Sequence, residues 1–302
     1  MNCLKCRRPI ENPDDKHYGL HHNCFAECFG ITAPAEFTGL QRRSNTSSDK
    51  TASMTPQNTS FFHGKFKKYS AELGSESYIL KMRQTEAPEL PEVEYLCNQI
   101  AKTIGIAVAD FYYIDFNGER IFVTKIFIKP GTSPIDLQHI YHFRPDDQHS
   151  CEGIINAIIA TSKRPIDVKI FIKTVLFDAL IGNHDRHGRN LAFIITAKNT
   201  ILSPIYDNVS YLSLESGNML KADFNPAGKI TTQETNEPSM KDYVKEFKRL
   251  GYQDIVIEFY QSIKEDQIDT LIKESFCSQD MKVSLSRLIK KRFKELENEL
   301  SN

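Results

Sequence analysis

Residues 182–190 read Gly182-Asn183-His184-Asp185-Arg186-His187-Gly188-Arg189-Asn190, a dense polar run between one segment that is apolar nearly all round and another that is short and apolar. Transfer of a phosphoryl group to a hydroxyl needs a carboxylate that orients the hydroxyl or accepts its proton, and oxygen ligands that hold magnesium against the phosphates. Asp185 and Asn190, in D-x-x-x-x-N spacing, offer one of each. Asp207, in Leu202-Ser203-Pro204-Ile205-Tyr206-Asp207-Asn208, offers a second, anionic metal ligand. A lone Asp or Asn in a loop usually caps a turn or a helix. It is the succession of polar loop, apolar hairpin and acidic turn that gives these three residues a common purpose.

That succession is the one protein kinases use, with the segment around Asp207 standing where the metal-binding Asp-Phe-Gly would be. The N-terminal half carries other parts such an enzyme needs. Lys81 ends an expected strand and Glu94 lies in the first turn of the expected helix that follows, so the two can form the ion pair that aims a lysine at ATP phosphates. Each alone is usually a solvated surface residue, and Lys102 on the same helix is the solvent-facing contrast. A glycine-rich phosphate loop is lacking: ahead of Lys81 stands Ser53-Met54-Thr55-Pro56-Gln57-Asn58, with Gly64 and Gly74 too far apart for G-x-G-x-x-G. Hydroxyls in that polar stretch can contact phosphate or be phosphorylated, and a linker fits the composition equally well.

The elements that must position these residues follow from hydrophobic periodicity. Rough alternation over Phe61–Lys68 and Ser75–Met82, punctuated by Gly74, reads as a hairpin. Pro91 opens a helix carrying Leu96, Ile100 and Ile104 on one face, and Gly105 ends it. Val108–Asp115 and Arg120–Ile128 form a second hairpin around Asn117-Gly118. The remainder is mainly helical, with helices expected over Ile154–Ala160, Val168–Ile181, Met240–Leu250, Asp254–Ile263 and Met281–Leu300. Leu191–Ile195 and Thr200–Ile205 interrupt them as a short hairpin around Lys198-Asn199. The fold class is therefore α+β and two-lobed, divided into a Cys/His-rich module at 1–30, a β-rich N-lobe at 31–130 and a helical C-lobe at 131–302.

Composition narrows the partners. At 302 residues and 40% hydrophobic content the chain can bury a real core, and a net charge of -1 with pI near 6.8 gives no global basic field for nucleic acid. The first residues are basic but lack an apolar signal segment, and no run approaches the roughly 18 apolar residues of a membrane span, so a soluble, cytoplasmic protein is expected. Seven cysteines, four of them before residue 30, suit metal binding or burial better than a disulfide framework. Cys3-x-x-Cys6 and His21-x-x-Cys24 have the types and paired spacing of a structural Zn2+ site, and equally of two turns whose cysteines pack as small apolar residues; Cys28 is one ligand too many. His142-Phe143-Arg144-Pro145-Asp146 reads as a helix cap or substrate contact, and the basic run Arg287–Phe293 as a solvated helix face.

The sequence resembles the HipA-like kinases, in particular their shorter HipT-like toxins. The resemblance rests on Ile181 to Asn190, on Leu202 to Asp207, on Tyr78-Ile79-Leu80-Lys81, on Glu94-Tyr95 with Ala101-Lys102, and on the opening Cys3-to-Gly30 segment. It implies a two-lobed serine/threonine kinase using ATP and Mg2+, the toxin of a HipBST-like toxin–antitoxin system, with an aminoacyl-tRNA synthetase as protein substrate. In that family the residue matching Asp185 is catalytic and those matching Asn190 and Asp207 bind magnesium. The resemblance further implies that Lys81 contacts phosphates, that His187 sits near the nucleotide, and that the backbone of Thr124 and Ile126 faces adenine. Ser53 and Thr55 occupy the place of the autophosphorylated Ser-x-Ser loop, although the glycine and lysine usual after that motif are absent here. A HipS-like antitoxin and a HipB-like helix-turn-helix protein are the implied partners, with DNA reached only through the latter. Rival readings are a catalytically inactive kinase-like binding module, a zinc-dependent interaction protein and a kinase of small alcohols or lipids.

Overall fold

A computed structural model describes residues 1–43, 68–128, 136–143, 149–187, 190–215, 217–222, 224 and 228–301. The N-terminal segment folds as a two-residue ribbon, β1 (Lys16–His17) against β2 (Leu20–His21), followed by α1 (His22–Phe29), which Gly30 ends in the left-handed region at φ 69°. Cys3, Leu4, Leu20, Phe25 and Phe29 do not make a core of their own. They pack into one cluster with Tyr78, Leu80, Tyr113, Ile114 and Val123 of the adjoining sheet.

That sheet is antiparallel, with five strands in the order β3 (Thr38–Arg43), β4 (Lys68–Leu73), β5 (Glu76–Lys81), β7 (Glu119–Lys125) and β6 (Phe111–Phe116). The hairpin around Gly74 is present, but its first strand begins at Lys68, where Phe61–Lys68 was expected to end; residues 61–67 lie outside the described residues. Lys68 faces inward at a place where alternation calls for an apolar residue, and this hid the strand. The second hairpin turns at Asn117 and Gly118 as expected, both with positive φ (52° and 82°), and the Asp115 carboxylate accepts the Gly118 N–H at 3.0 Å.

Between the sheet and the helical half lies α2 (Leu90–Thr103), with Pro91 in its first turn. Nearly all of it is buried, including Glu92, Glu94 and Asn98, while Lys102 is exposed as expected. A three-stranded ribbon, ordered β10 (Thr200–Leu202), β9 (Ala192–Ile195) and β8 (Asp136–His139), contains the expected short hairpin and adds β8. Residues 144–146 of the polar cluster lie outside the described residues; the cap of α3 (Cys151–Ser162) is Ser150, whose Oγ accepts the Gly153 N–H at 3.1 Å.

The helical half comprises α3, α4 (Pro165–Ile181), α5 (Met240–Arg249), α6 (Gln253–Ser262), α7 (Glu265–Glu274) and α8 (Gln279–Ser301). The helix α4 runs through the middle of its core, which also takes in the apolar face of α2. All five expected helices are present; α7 was not expected, since Ile268 and Ile272 are its only buried residues and two apolar positions make a weak pattern. Gly182 ends α4 at φ 69° with no room for a side chain, because a Cβ there would stand 2.9 Å from both Leu288 and Tyr211. The polar loop therefore leaves the helix at a fixed point and angle.

Candidate phosphotransfer site

Three elements deliver charge to one place. Lys81 at the end of β5 is buried and forms ion pairs with Glu94 of α2 and, at 2.5 Å, with Oδ1 of Asp207. Lys68 at the start of β4, also buried, reaches the other oxygen, Oδ2, at 2.6 Å. Two ammonium groups and two carboxylates thus balance. Burial raises the Glu94 carboxyl and lowers the Lys68 ammonium. Burial would raise Asp207 as well, but the charges of Lys68 and Lys81 outweigh it and hold this carboxyl below the usual range. Asp207 adopts φ 56°, a strained value for a residue with a side chain, fixed by the bonds around it.

Arg186 supplies those bonds. Its Nε and Nη2 clasp Asp178 of α4 at 2.8 and 3.1 Å, its Nη1 donates to the carbonyls of Tyr206 at 2.8 Å and Asn190 at 3.2 Å, and Nη2 donates to Asn208 Oδ1 at 2.5 Å. One buried guanidinium therefore joins the end of α4, the polar loop and the acidic turn. The connection continues into α2: Asn208 Nδ2 donates to Asn98 Oδ1 at 2.9 Å, and Asn98 Nδ2 donates to the Glu94 carbonyl at 2.8 Å. The helix that places Glu94 against Lys81 is thus tied to the turn that carries Asp207.

Asp185 and Asn190 face each other across the loop. Asn190 Nδ2 donates to the Asp185 carbonyl at 2.9 Å, while its Oδ1 is buried without a hydrogen-bond partner among the described residues. A buried amide oxygen without a partner, on a loop that Arg186 joins to the turn of Asp207, is the kind of ligand a magnesium ion takes from a protein, so these side chains fit the ion. The Asp185 carboxylate is half-exposed and makes no ion pair or hydrogen bond among the described residues, while its N–H donates to Asn183 Oδ1 at 3.2 Å. His187 is half-buried in the same loop, its carbonyl accepting the Asn190 N–H at 2.9 Å.

Thr124 and Ile126 lie at the end of β7, where Ile79, Ile126, Ile128, Leu137 and Ala192 form an apolar cluster between the two sheets. The Ile126 N–H donates to the Ser77 carbonyl at 2.9 Å, and Thr124 is paired with Ile79 and Phe111 within the sheet. Ser53 and Thr55 lie outside the described residues. Away from this site, Cys3, Cys6, His21 and Cys24 do come together, with all four ligand atoms within 4.8 Å of one another. Burial raises the Cys3 thiol, but the N–H groups of Cys6, His21 and Lys5 outweigh it and bring it down to about 6. Cys28 stands apart, half-buried against the sheet core. A cavity of about 680 Å³ between the N-terminal segment and β6 includes none of Lys81, Asp185 or Asp207 in its lining.

Sequence reasoning missed Lys68, Asn98 and the joining part played by Arg186. Lys68 had one available signal, a Lys-Lys pair opening the strand next to that of Lys81.

A two-lobed architecture with a Lys–Glu pair in one lobe and an Asp/Asn loop with an acidic turn in the other defines a kinase-like fold. The HipA-like C-terminal domain family matches residues 48–278, and the chain belongs to that family. Among curated relatives, the serine/threonine-protein kinase toxin HipA of Shewanella oneidensis is 23% identical over 185 residues, 53% of this chain and 42% of that protein. The chain spans about four tenths of the length of the curated relatives it matches (39% and 42%). The solved structure of the Helicobacter pylori proinflammatory kinase CtkA is similar with a TM-score of 0.63 at 19% identity, over 78% of this chain and 93% of that one. The Shewanella oneidensis HipA structure, solved with HipB and operator DNA, gives a TM-score of 0.56 at 16% identity, over 76% of this chain and 61% of that one. These likenesses establish the HipA/CtkA kinase fold. Among the described residues no helix is long and apolar enough to cross a membrane.

Proposed function

We propose that this chain is an ATP- and Mg2+-dependent protein serine/threonine kinase, the toxin of a HipBST-like toxin–antitoxin system, acting in the cytoplasm on an aminoacyl-tRNA synthetase and on itself. The observation that carries the catalytic part is that Arg186 ties the Asn190 carbonyl to the Tyr206 carbonyl, so that the loop bearing the buried, unpartnered Asn190 Oδ1 is joined to the turn whose Asp207 carboxylate is held ionised between two lysines. When bound, magnesium would supply charge neutralisation on the β- and γ-phosphates, held by Asn190 and Asp207. Lys68 and Lys81 are the chain's own cations for the phosphates, and Glu94 keeps Lys81 extended toward them. Asp185, half-exposed and with its carboxylate unpaired among the described residues, orients the incoming Ser or Thr hydroxyl and takes its proton. The apolar cluster around Ile126 suits adenine, His187 sits at the nucleotide, and Ser53 or Thr55 is the self-modification site.

The division accompanying this reading is a Cys/His-rich module at 1–30, an N-lobe with the phosphate-loop region and ATP-binding strands at 31–130, and a helical C-lobe with the catalytic and metal-binding loops at 131–302. The HipB-bound relative supports a HipB-like partner, through which DNA would be met, and a HipS-like antitoxin completes the set. The experiment is incubation of the chain with labelled ATP and a bacterial lysate, with Asp185→Ala in parallel. Labelled synthetase is expected, falling by roughly 10²–10⁴-fold in the variant. Equal labelling by both proteins, or none with either, would sink the proposal.

A further inference from the structure

We propose that Cys3, Cys6, His21 and Cys24 form a closed four-ligand zinc site, and that the turn carrying its first two ligands thereby fastens Arg7 onto the helical lobe. This goes beyond the kinase reading and does not depend on it. The donor set, three thiolates and one imidazole, is that of structural zinc. A tetrahedron with bonds of about 2.0–2.3 Å has edges of about 3.3–3.8 Å. His21 Nδ1 stands 3.4 Å from the Cys6 sulfur and 3.9 Å from that of Cys24.

The imidazole is already set for ligation. Its Nε2 lies 3.0 Å from the Pro9 carbonyl, which can only accept, so Nε2 carries the hydrogen and Nδ1 presents a lone pair to the sulfurs. Between its two ligand pairs the chain is thinly held, since no residue from Lys5 to Tyr18 is buried and only Ile10 and Tyr18 of that stretch pack, partly, against the sheet cluster. A loop without a core is where a structural metal contributes folding energy. The Cys3–Arg8 turn closes through Cys3 N–H to the Arg8 carbonyl at 2.9 Å and Arg7 N–H to the Cys3 carbonyl at 3.0 Å. Arg7, directly after a ligand, sits at φ 65°, a conformation that disfavours residues with a Cβ.

What that conformation achieves is a contact across the molecule. The Arg7 guanidinium lies 3.6 Å from the ring centroid of Phe276 and donates to the Glu274 carbonyl at 3.0 Å, at the end of α7. Phe276 in turn stacks on Tyr113 of β6 at 4.5 Å. The metal turn is thus one side of a clasp between the sheet and the helical lobe.

The test uses the full chain purified under reducing conditions from zinc-supplemented culture. Elemental analysis is expected to give about one zinc per chain, lost in Cys6→Ser and Cys24→Ser and kept in Cys28→Ser. If those variants do not fold, chelator-stripped wild type refilled with cobalt should show the d–d and thiolate charge-transfer bands of a tetrahedral site. Hydrogen exchange should rise across residues 274–278 in stripped protein, and in Arg7→Ala, which keeps its zinc. A reduced wild-type chain that holds neither zinc nor cobalt overturns the site. Unchanged exchange at 274–278 on stripping overturns the clasp.

Discussion

Replacing Arg186 with methionine removes five hydrogen bonds and leaves the buried Asp178 carboxylate with the Asn183 amide, at 2.8 Å, as its one remaining donor among the described residues. Both partners are almost fully buried, at 2% and 5% exposure, so solvent cannot take over. Breaking such a pair from one side costs roughly 3–5 kcal/mol, because a charge stays behind in a low-dielectric interior. At about 2–4 °C per kcal/mol for a domain of this size, the melting temperature should fall by on the order of 10 °C. Asp178→Asn should cost a similar amount. The double variant Asp178→Asn/Arg186→Met should lose less than the sum of the two by about 1–3 kcal/mol, since neither charge is then stranded. Thermal unfolding of the four proteins at one pH closes the cycle. A shift below about 2 °C in Arg186→Met, or simple additivity, would refute the claim that this guanidinium holds the loop and the turn together.

Lys68→Met leaves the Glu94 and Asp207 carboxylates facing a single ammonium, so it should melt below wild type, though by less than Arg186→Met because Lys81 still pairs with Asp207, and should bind ATP about 10–100-fold more weakly, which calorimetry in an Asp185→Ala background would measure. Acid sensitivity should trace to Asp207. Its folded carboxyl lies below the unfolded value of about 3.9, so its stabilisation is complete above that value and is lost as pH falls toward the folded one. Glu94 and Asp178, whose carboxyls burial raises, act in the opposite sense and above that range. Denaturation midpoints at descending pH should therefore show a shallower acid limb for Asp207→Asn than for wild type; parallel limbs would exclude the assignment.

Local patterns carried much of the architecture. Asn117-Gly118 fixed a hairpin because both positions need positive φ, and Pro91 with Gly105 bracketed α2 because one lacks an N–H and the other tolerates the left-handed exit. Asp185, Asn190 and Asp207 stood out because polar residues framed by apolar elements are scarce. The remaining site residues defeat that logic. Lys68, Asn98 and Arg186 are polar residues in buried positions, which periodicity assigns to solvent, and their partners lie as far as 139, 110 and 22 positions away. The Asn208–Asn98 bond joins two neutral amides, so not even charge complementarity marks it in advance. The N-terminal segment resisted for a related reason: its apolar residues are completed by Tyr78 and Tyr113 from distant strands.

The four-charge cluster at Lys68, Lys81, Glu94 and Asp207 has an exchange written into it. Both Asp207 oxygens pair with ammonium groups of the chain itself, which act as its counterions. A divalent cation arriving alone must displace both lysines from Asp207, with Lys81 keeping Glu94, whereas phosphate oxygens arriving with it offer both ammonium groups new anionic partners. Cation and nucleotide should therefore enter as one cargo: magnesium titrated without ATP would scarcely bind, and the deficit should vanish once triphosphate is present.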